Sequence, residues 1–511
     1  MVVQITFHRM RLRKAGLLRK SLSGITLLSF LSSFLIVFGV ATFYGAGTLP
    51  AKVPAKVPAS QALQRRIALQ RSALASGNAE AIVKASRGVV ALALEQMAQW
   101  RLKQGAYLQA IVLCHRSLLI EDSAETKAVL AKAESEVAKR NLDVPKDLSA
   151  IDPAASPSDA VLRQGKLTVA EMERGRLEEK RLRRILSAAY NDWGAADAGR
   201  QEFLAAMGNF QAAEKWDAST PGLMRNLGLA AAKVGDNGEA VRALKVAVKT
   251  DPKDKQSRLM LAVSLFGLGE FSDAAKYFDE VGDAVLADPE MGYAWAFSLS
   301  RANQVKQAKA VLDKVSASAS LPAEMLILIG KVYNDVGDHA NALRCFQGAI
   351  RQDPTMKQAH GGAGVSLIRL NRPAEAVPEL EAELKLSPAD PDAQYQLGYA
   401  LLQLSKEDQA IPILRTLIAA HPDHARARYQ LGKTLLDMGQ VDEAIQNLQA
   451  AANMDSDRAY IHYQLQKAYR KTGKIEAADR ELKLYQDLKT RDRERIQIDG
   501  ENNMQSESTS D

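Results

Sequence analysis

The 511-residue chain is 47% hydrophobic and 25% charged, a balance that excludes wholesale disorder and leaves either one extended array or a few compact domains. Its net charge of +7 is concentrated in Arg9, Arg11, Arg13, Lys14, Arg19 and Lys20, so the remainder is close to neutral. That remainder lacks the basic surface that nucleic-acid binding requires, and two cysteines, Cys114 and Cys345, cannot build a disulfide framework.

Residues 1–20 form a basic segment, and no charge follows until Lys52. Ile25 to Tyr44 is mostly apolar, and its twenty residues match a hydrocarbon core of about 30 Å. The basic flank predicts a cytoplasmic N-terminus, with 21–46 as a transmembrane anchor and everything after it outside the cytoplasm. Gly39-Val40-Ala41 and Gly45-Ala46-Gly47 also offer small residues for signal cleavage, so anchor and cleaved signal sequence both stay open. Either way the bulk of the chain is expected on the periplasmic, cell-envelope side. Residues 47–60, with alternating prolines, read as an extended stalk.

Residues 61–140 read as helical, and Trp100 to Asp122 as a helix–turn–helix. Pro145, Pro153 and Pro157 lie among small and polar residues, which predicts a linker over 141–165. Residues 166–186 predict a charged helix, supported by Glu179 and Arg183 four apart, that caps the N-terminal end of a repeat array.

From 187 to 492 the sequence repeats every 34 residues. Ala206, Ala240, Ala274, Ala308, Ala342, Ala376, Ala410, Ala444 and Ala478 are all alanine in register. Thirteen residues before each lies Trp193, Leu227, Leu261, Trp295, Ile329, Ala363, Leu397, Leu431 or Leu465. The next residue is small in every repeat except the last, where Gln466 stands, and four residues after each alanine comes a Phe or Leu. Pro252, Pro354, Pro388 and Pro422 close four of the units. This pattern resembles the tetratricopeptide repeat (TPR) in its membrane-anchored or exported bacterial form, and Arg428 to Asp455 fits nearly throughout. The resemblance implies an all-α, right-handed superhelical solenoid of nine helix–turn–helix repeats, preceded by one N-terminal transmembrane or signal helix. Small residues in the Gly and Ala columns would let paired helices approach, and stacking of neighbours would bury the apolar faces. Trp100 to Asp122 reads as one further, degenerate repeat, with Ala110 in the alanine role and Cys114 in the Phe role. Pro373, Pro378 and Glu383 break the pattern and mark repeat 357–390 as a weak unit. Residues 493–511, poor in apolar side chains, are expected to be a disordered tail.

No catalytic constellation, cofactor fingerprint or metal set emerges. His421 and His424 lack the further ligands of a coordination sphere, and His360-Gly361-Gly362-Ala363-Gly364 lacks the Lys-Ser/Thr of a phosphate loop. Its glycines read as a flexible helix start. The resemblance implies instead that first helices line a concave groove for protein or peptide partners. Groove positions by that pattern are Tyr395, Gln396, Tyr399, Tyr429, Gln430, Lys433, Tyr463, Gln464, Lys467 and Arg470. They supply amides for a peptide backbone, aromatic faces, and cations for acids, although tyrosine here also packs against the adjacent repeat. The expected function is a non-enzymatic scaffold at the membrane of a bacterial envelope. The alternatives are an accessory subunit of a secretion, assembly or polysaccharide-export machine, and an enzyme or carbohydrate-binding protein using the N-terminal helical region.

Overall fold

The computed structural model describes residues 61–162, 167–317 and 321–508; the apolar stretch Ile25 to Tyr44 lies outside them. Every regular element among the described residues is helical, and none is long and apolar enough to cross a membrane. The chain divides after Ala302 into two compact units.

The first unit contains α1 (Gln61–Ser76), α2 (Ala79–Lys103), α3 (Tyr107–Ile120), α4 (Ala124–Lys139), the short α5 (Asp159–Leu162), α6 (Val169–Gly199), α7 (Phe203–Trp216), α8 (Leu223–Val234), α9 (Asn237–Thr250), α10 (Lys255–Leu268), α11 (Phe271–Val281) and α12 (Pro289–Arg301). The second contains α13 (Val305–Ser316), α14 (Ala323–Asp335), α15 (His339–Gln352), α16 (Ala359–Arg369), α17 (Pro373–Leu386), α18 (Pro391–Gln403), α19 (Glu407–Ala420), α20 (Ala425–Asp437), α21 (Val441–Met454), α22 (Ala459–Lys471) and α23 (Ile475–Ser508).

All nine register alanines are fully buried. Their neighbours explain the small column as well. A Cβ on Gly228, Gly364, Gly398 or Gly432 would fall within 3.0 Å of Leu244, Leu380, Leu414 or Leu448 respectively, each sixteen residues on. Gly194 meets Phe210 and Gly330 meets Phe346 in the same way. The partner side chain thus occupies the space a methyl would need, and the two helices of a repeat close onto each other.

A second column is conformational. Gln201, Gly235, Gly269, Asn303, Gly337, Asn371, Ser405, Gly439 and Gly473 all have positive φ and lie 34 residues apart. Each ends the first helix of a repeat in the left-handed conformation. The following amide bonds back five residues where that contact falls inside one unit, as from Asp236 N to Ala231 O (3.0 Å) and from Gln440 N to Leu435 O (2.8 Å). Gly105 (φ 81°) stands at the same offset before buried Ala110, and Ala98, sixteen before buried Cys114, fills the small column. These features extend the repeat pattern to α2 and α3.

Four segments differ from the sequence expectation. The charged helix and the first repeat are one helix, α6, because Thr168 and Glu171 form a capping box at its start and nothing breaks it at 186. The segment read as a linker is strapped down. Arg101, fully buried, bonds Ala155 O (3.2 Å), Arg183 bonds Ala154 O, and Gln109 bonds Asp152 O and Ala155 O (3.1 and 3.0 Å). Arg101 also forks onto Glu179 at 2.9 and 2.8 Å. Burial alone would push the Glu179 carboxyl up, but Arg101 and Arg183 outweigh it and hold the group below its usual range.

Repeat 357–390 is not loose. Glu383 is buried, and its two oxygens accept from Gln358 N and Gly361 N, both at 2.9 Å, capping a helix start that has no side-chain cap of its own. Gly361, Gly362 and Gly364 are close-approach positions against Glu383, Phe346 and Leu380, not a flexible start. Finally, α23 continues to Ser508 where a disordered tail was expected, since a packed helix propagates at one hydrogen bond per added residue and no proline intervenes.

Candidate interaction groove

Helices α18, α20 and α22 open three successive repeats and carry all ten sequence-predicted groove residues. Lys433, Tyr463 and Arg470 are exposed, whereas Tyr395 and Gln464 are buried; Gln396, Tyr399, Tyr429, Gln430 and Lys467 are half-buried. The aromatic side chains are brought together in one register. Tyr395 stacks on Tyr399 (6.2 Å), tilts against His424 (5.2 Å) and lies beneath the Arg426 guanidinium (5.0 Å). Tyr429 meets Tyr460 edge-on at 4.6 Å, and Tyr463 lies 5.3 Å from Tyr485 and 6.0 Å from Lys467 Nζ. Arg426, Tyr460 and Tyr485 were missed by sequence reasoning. Arg426 and Tyr460 lie 34 apart, so the register itself held the signal.

Gln430 and Gln464 sit close enough to the Tyr395 and Tyr429 hydroxyls to act on their titration, each beside the tyrosine of the preceding repeat. Burial pushes both tyrosine hydroxyls up, and the neighbouring glutamines offset part of the shift. In the first unit Asn226 Nδ2 donates to Asn191 Oδ1 (3.1 Å) at the same two positions. Gln464 Oε1 is buried without a partner among the described residues.

What stays available is aromatic and cationic. Arg426 and Arg470 approach Asp392 and Asp479 only at 3.9 and 3.8 Å. Lys433 and Lys467 form no ion pair among the described residues. A shallow cleft of about 500 Å³ beside the groove is lined by Asp455, Asp457, Arg458, Tyr460, Arg491 and Asp492, and Arg491 already bridges to Asp457 (3.3 Å).

A further column escaped the sequence because its residue type changes. His360, Gln394, Arg428 and His462 each bond the carbonyl six residues earlier, at 3.2, 2.9, 2.7 and 2.9 Å, and so clamp the turn between repeats. His424 is a helix cap, its Nδ1 accepting from Ala427 N at 3.1 Å. Burial holds it below its ordinary range, as an acceptor nitrogen requires. No group of three or more metal-ligating side chains occurs among the described residues. Cys114 and Cys345 are buried and unpaired with each other, their thiols pushed up to about 12 and about 11 by burial.

Two family models described as Tetratricopeptide repeat match the chain, one over 401–462 and one over 225–284, 328–394 and 362–425. The chain is a tetratricopeptide-repeat protein. Protein interaction is the role such repeats support. No curated protein matches this tetratricopeptide-repeat protein. Among solved structures it is similar to MamA, with 23% identity, 32% of this chain and 97% of that one covered, and a TM-score of 0.30. MamA from Desulfovibrio magneticus RS-1 gives 24%, 34%, 98% and 0.31. YrrB, described as a TPR protein with an unusual peptide-binding site, gives 20%, 37%, 97% and 0.32.

Proposed function

We propose that this protein is a non-enzymatic scaffold, a right-handed solenoid whose α18–α22 face binds an extended, partly acidic segment of a partner protein. The observation that carries the reading is the stripe of exposed and half-buried tyrosines and cations in which Lys433 and Lys467 have no carboxylate of their own among the described residues. Cations over or beside aromatic faces attract acids and stack apolar side chains at once. The apolar stretch Ile25 to Tyr44 supports tethering to a membrane, with the repeats outside the cytoplasm.

The test uses a fluorescent, unstructured 15-residue Glu/Gly/Leu peptide titrated against the full chain. Binding that is lost in Lys433→Glu/Lys467→Glu/Arg470→Glu, without a change in melting temperature, supports the reading. Binding unaffected by those changes removes the groove. A reporter fused after residue 511 that is active only in the cytoplasm removes the exported topology.

A further inference from the structure

We infer that the occupant of this groove is the acidic C-terminal segment of a second copy of the chain, an assignment that rests on the groove reading above. Residues 496–511 contain Asp499, Glu501, Glu507 and Asp511 and neither Lys nor Arg. The same segment carries Ile496, Ile498 and Met504, apolar side chains suited to a tyrosine face. Just before it, Lys489, Arg491, Arg493 and Arg495 make the preceding turns basic, so the acidity begins abruptly at the point where the chain could enter a basic groove. The groove offers the complement: Arg426, Lys433, Lys467 and Arg470 against Asp392 and Asp437.

Geometry decides between its own groove and that of another molecule. Helix α23 runs from Ile475 to Ser508 without a break. Among the side chains described, Leu488 is the last that is buried, and 489–494 are all exposed. At 1.5 Å per residue the helix therefore continues about 25 Å past Arg491, which bridges to Asp457 at 3.3 Å. A helix that leaves the body in this way carries the acidic segment away from α18, α20 and α22. Turning it back would break the helix, whereas a second molecule's groove needs no such break. The contact is heterologous: tail of one copy, groove of the next. Such contacts extend into open chains of molecules unless the rotation closes a ring. Electrostatic attraction at exposed sites also makes the association weaken with salt.

Sedimentation of the full chain, in detergent, is compared with that of a chain lacking 496–511, and a labelled 496–511 peptide is titrated against the shortened chain. Expected are concentration-dependent self-association of the full chain, its loss on truncation, and peptide binding reduced at least roughly tenfold by Lys433→Glu/Lys467→Glu. Self-association unchanged by truncation, or a scrambled peptide binding as well as the true one, overturns the inference. If the generic acidic peptide still binds in a lysine-dependent way, the groove stands and only this occupant falls. If neither peptide binds, both readings fall together.

Discussion

Gly362 and Phe346 share one space: a methyl group on Gly362 would lie 2.3 Å from the Phe346 ring. The ring also touches Gly330 in its own repeat, at 3.0 Å from the equivalent point, so it is held between two first helices. An aromatic ring so confined has no low-energy rotamer to retreat to. Gly362→Ala is therefore expected to cost about 1–3 kcal/mol, as overpacking does. Gly208 is the control, exposed in mid-helix with nothing within 4 Å of its missing Cβ. There alanine should add up to about 1 kcal/mol from helix propensity alone. Urea titration of both variants checks the pair. Equal effects at the two positions would sink the packing argument.

The left-handed turn column gives an opposite test. Gln201 (φ 64°) and Ser405 (φ 54°) hold a conformation that disfavours a Cβ, in register with five glycines. Gln201→Gly and Ser405→Gly should each stabilise by about 1 kcal/mol, whereas Gly439→Ala should destabilise by a similar amount. Melting curves of the three variants suffice, and stabilisation by Gly439→Ala would contradict the shared geometry.

Asp192 is buried and held by one donor, Gln70 Nε2 at 3.1 Å, with Ser86 beside it. Burial pushes its carboxyl up to about 7. The folded state thus keeps a proton that the unfolded state has lost, and stability falls as pH rises between about 4 and 7. The loss is of order 4 kcal/mol across that window. Asp192→Asn should flatten this slope and make the first unit more stable at pH 8. Hydrogen exchange of α1 and α6 against pH reads it. A slope unchanged in the variant would assign the pH dependence to another group.

Arg101 joins Glu179 to the strapped segment 152–155, and its guanidinium is shut off from solvent. Removing one partner of a buried pair leaves the other uncompensated, so Arg101→Ala should destabilise by about 3–5 kcal/mol. Arg101→Met with Glu179→Leu should recover much of that loss while leaving the strap unheld. Limited proteolysis distinguishes the two effects: cleavage within 141–165 should accelerate in both variants. Protection retained in the double variant would show that Arg183 and Gln109 hold the segment without Arg101.

The part of the fold legible in the sequence was the part written in side-chain size. Nine alanines in register and the glycines beside them specify which helices must touch, and the burial of Ala206 through Ala478 is the result. Features carried by the backbone were not legible. The left-handed column mixes Gly, Asn, Gln and Ser, because several residues adopt one φ. The turn clamp mixes His, Gln and Arg, because a carbonyl accepts from any donor at the right reach. The strap was hidden for the same reason: it is held through the carbonyls of Asp152, Ala154 and Ala155, and carbonyls have no letter in the sequence. At the groove, the register of Tyr395, Tyr429 and Tyr463 was plain from spacing. The burial of Tyr395 and Gln464, which withdraws them from the open face, was visible only in three dimensions.

Helix α6 packs against α2, from Gly175 beside Trp100 to Ala196 in a cluster with Ile82, and also against α7, running without interruption from Val169 to Gly199. A rod of that length, about 46 Å, resists bending because any kink must open its own hydrogen-bond ladder. A pull or twist arriving through the first three helices is therefore handed to the opening repeat as a lever stroke, with no elastic joint between them to absorb it.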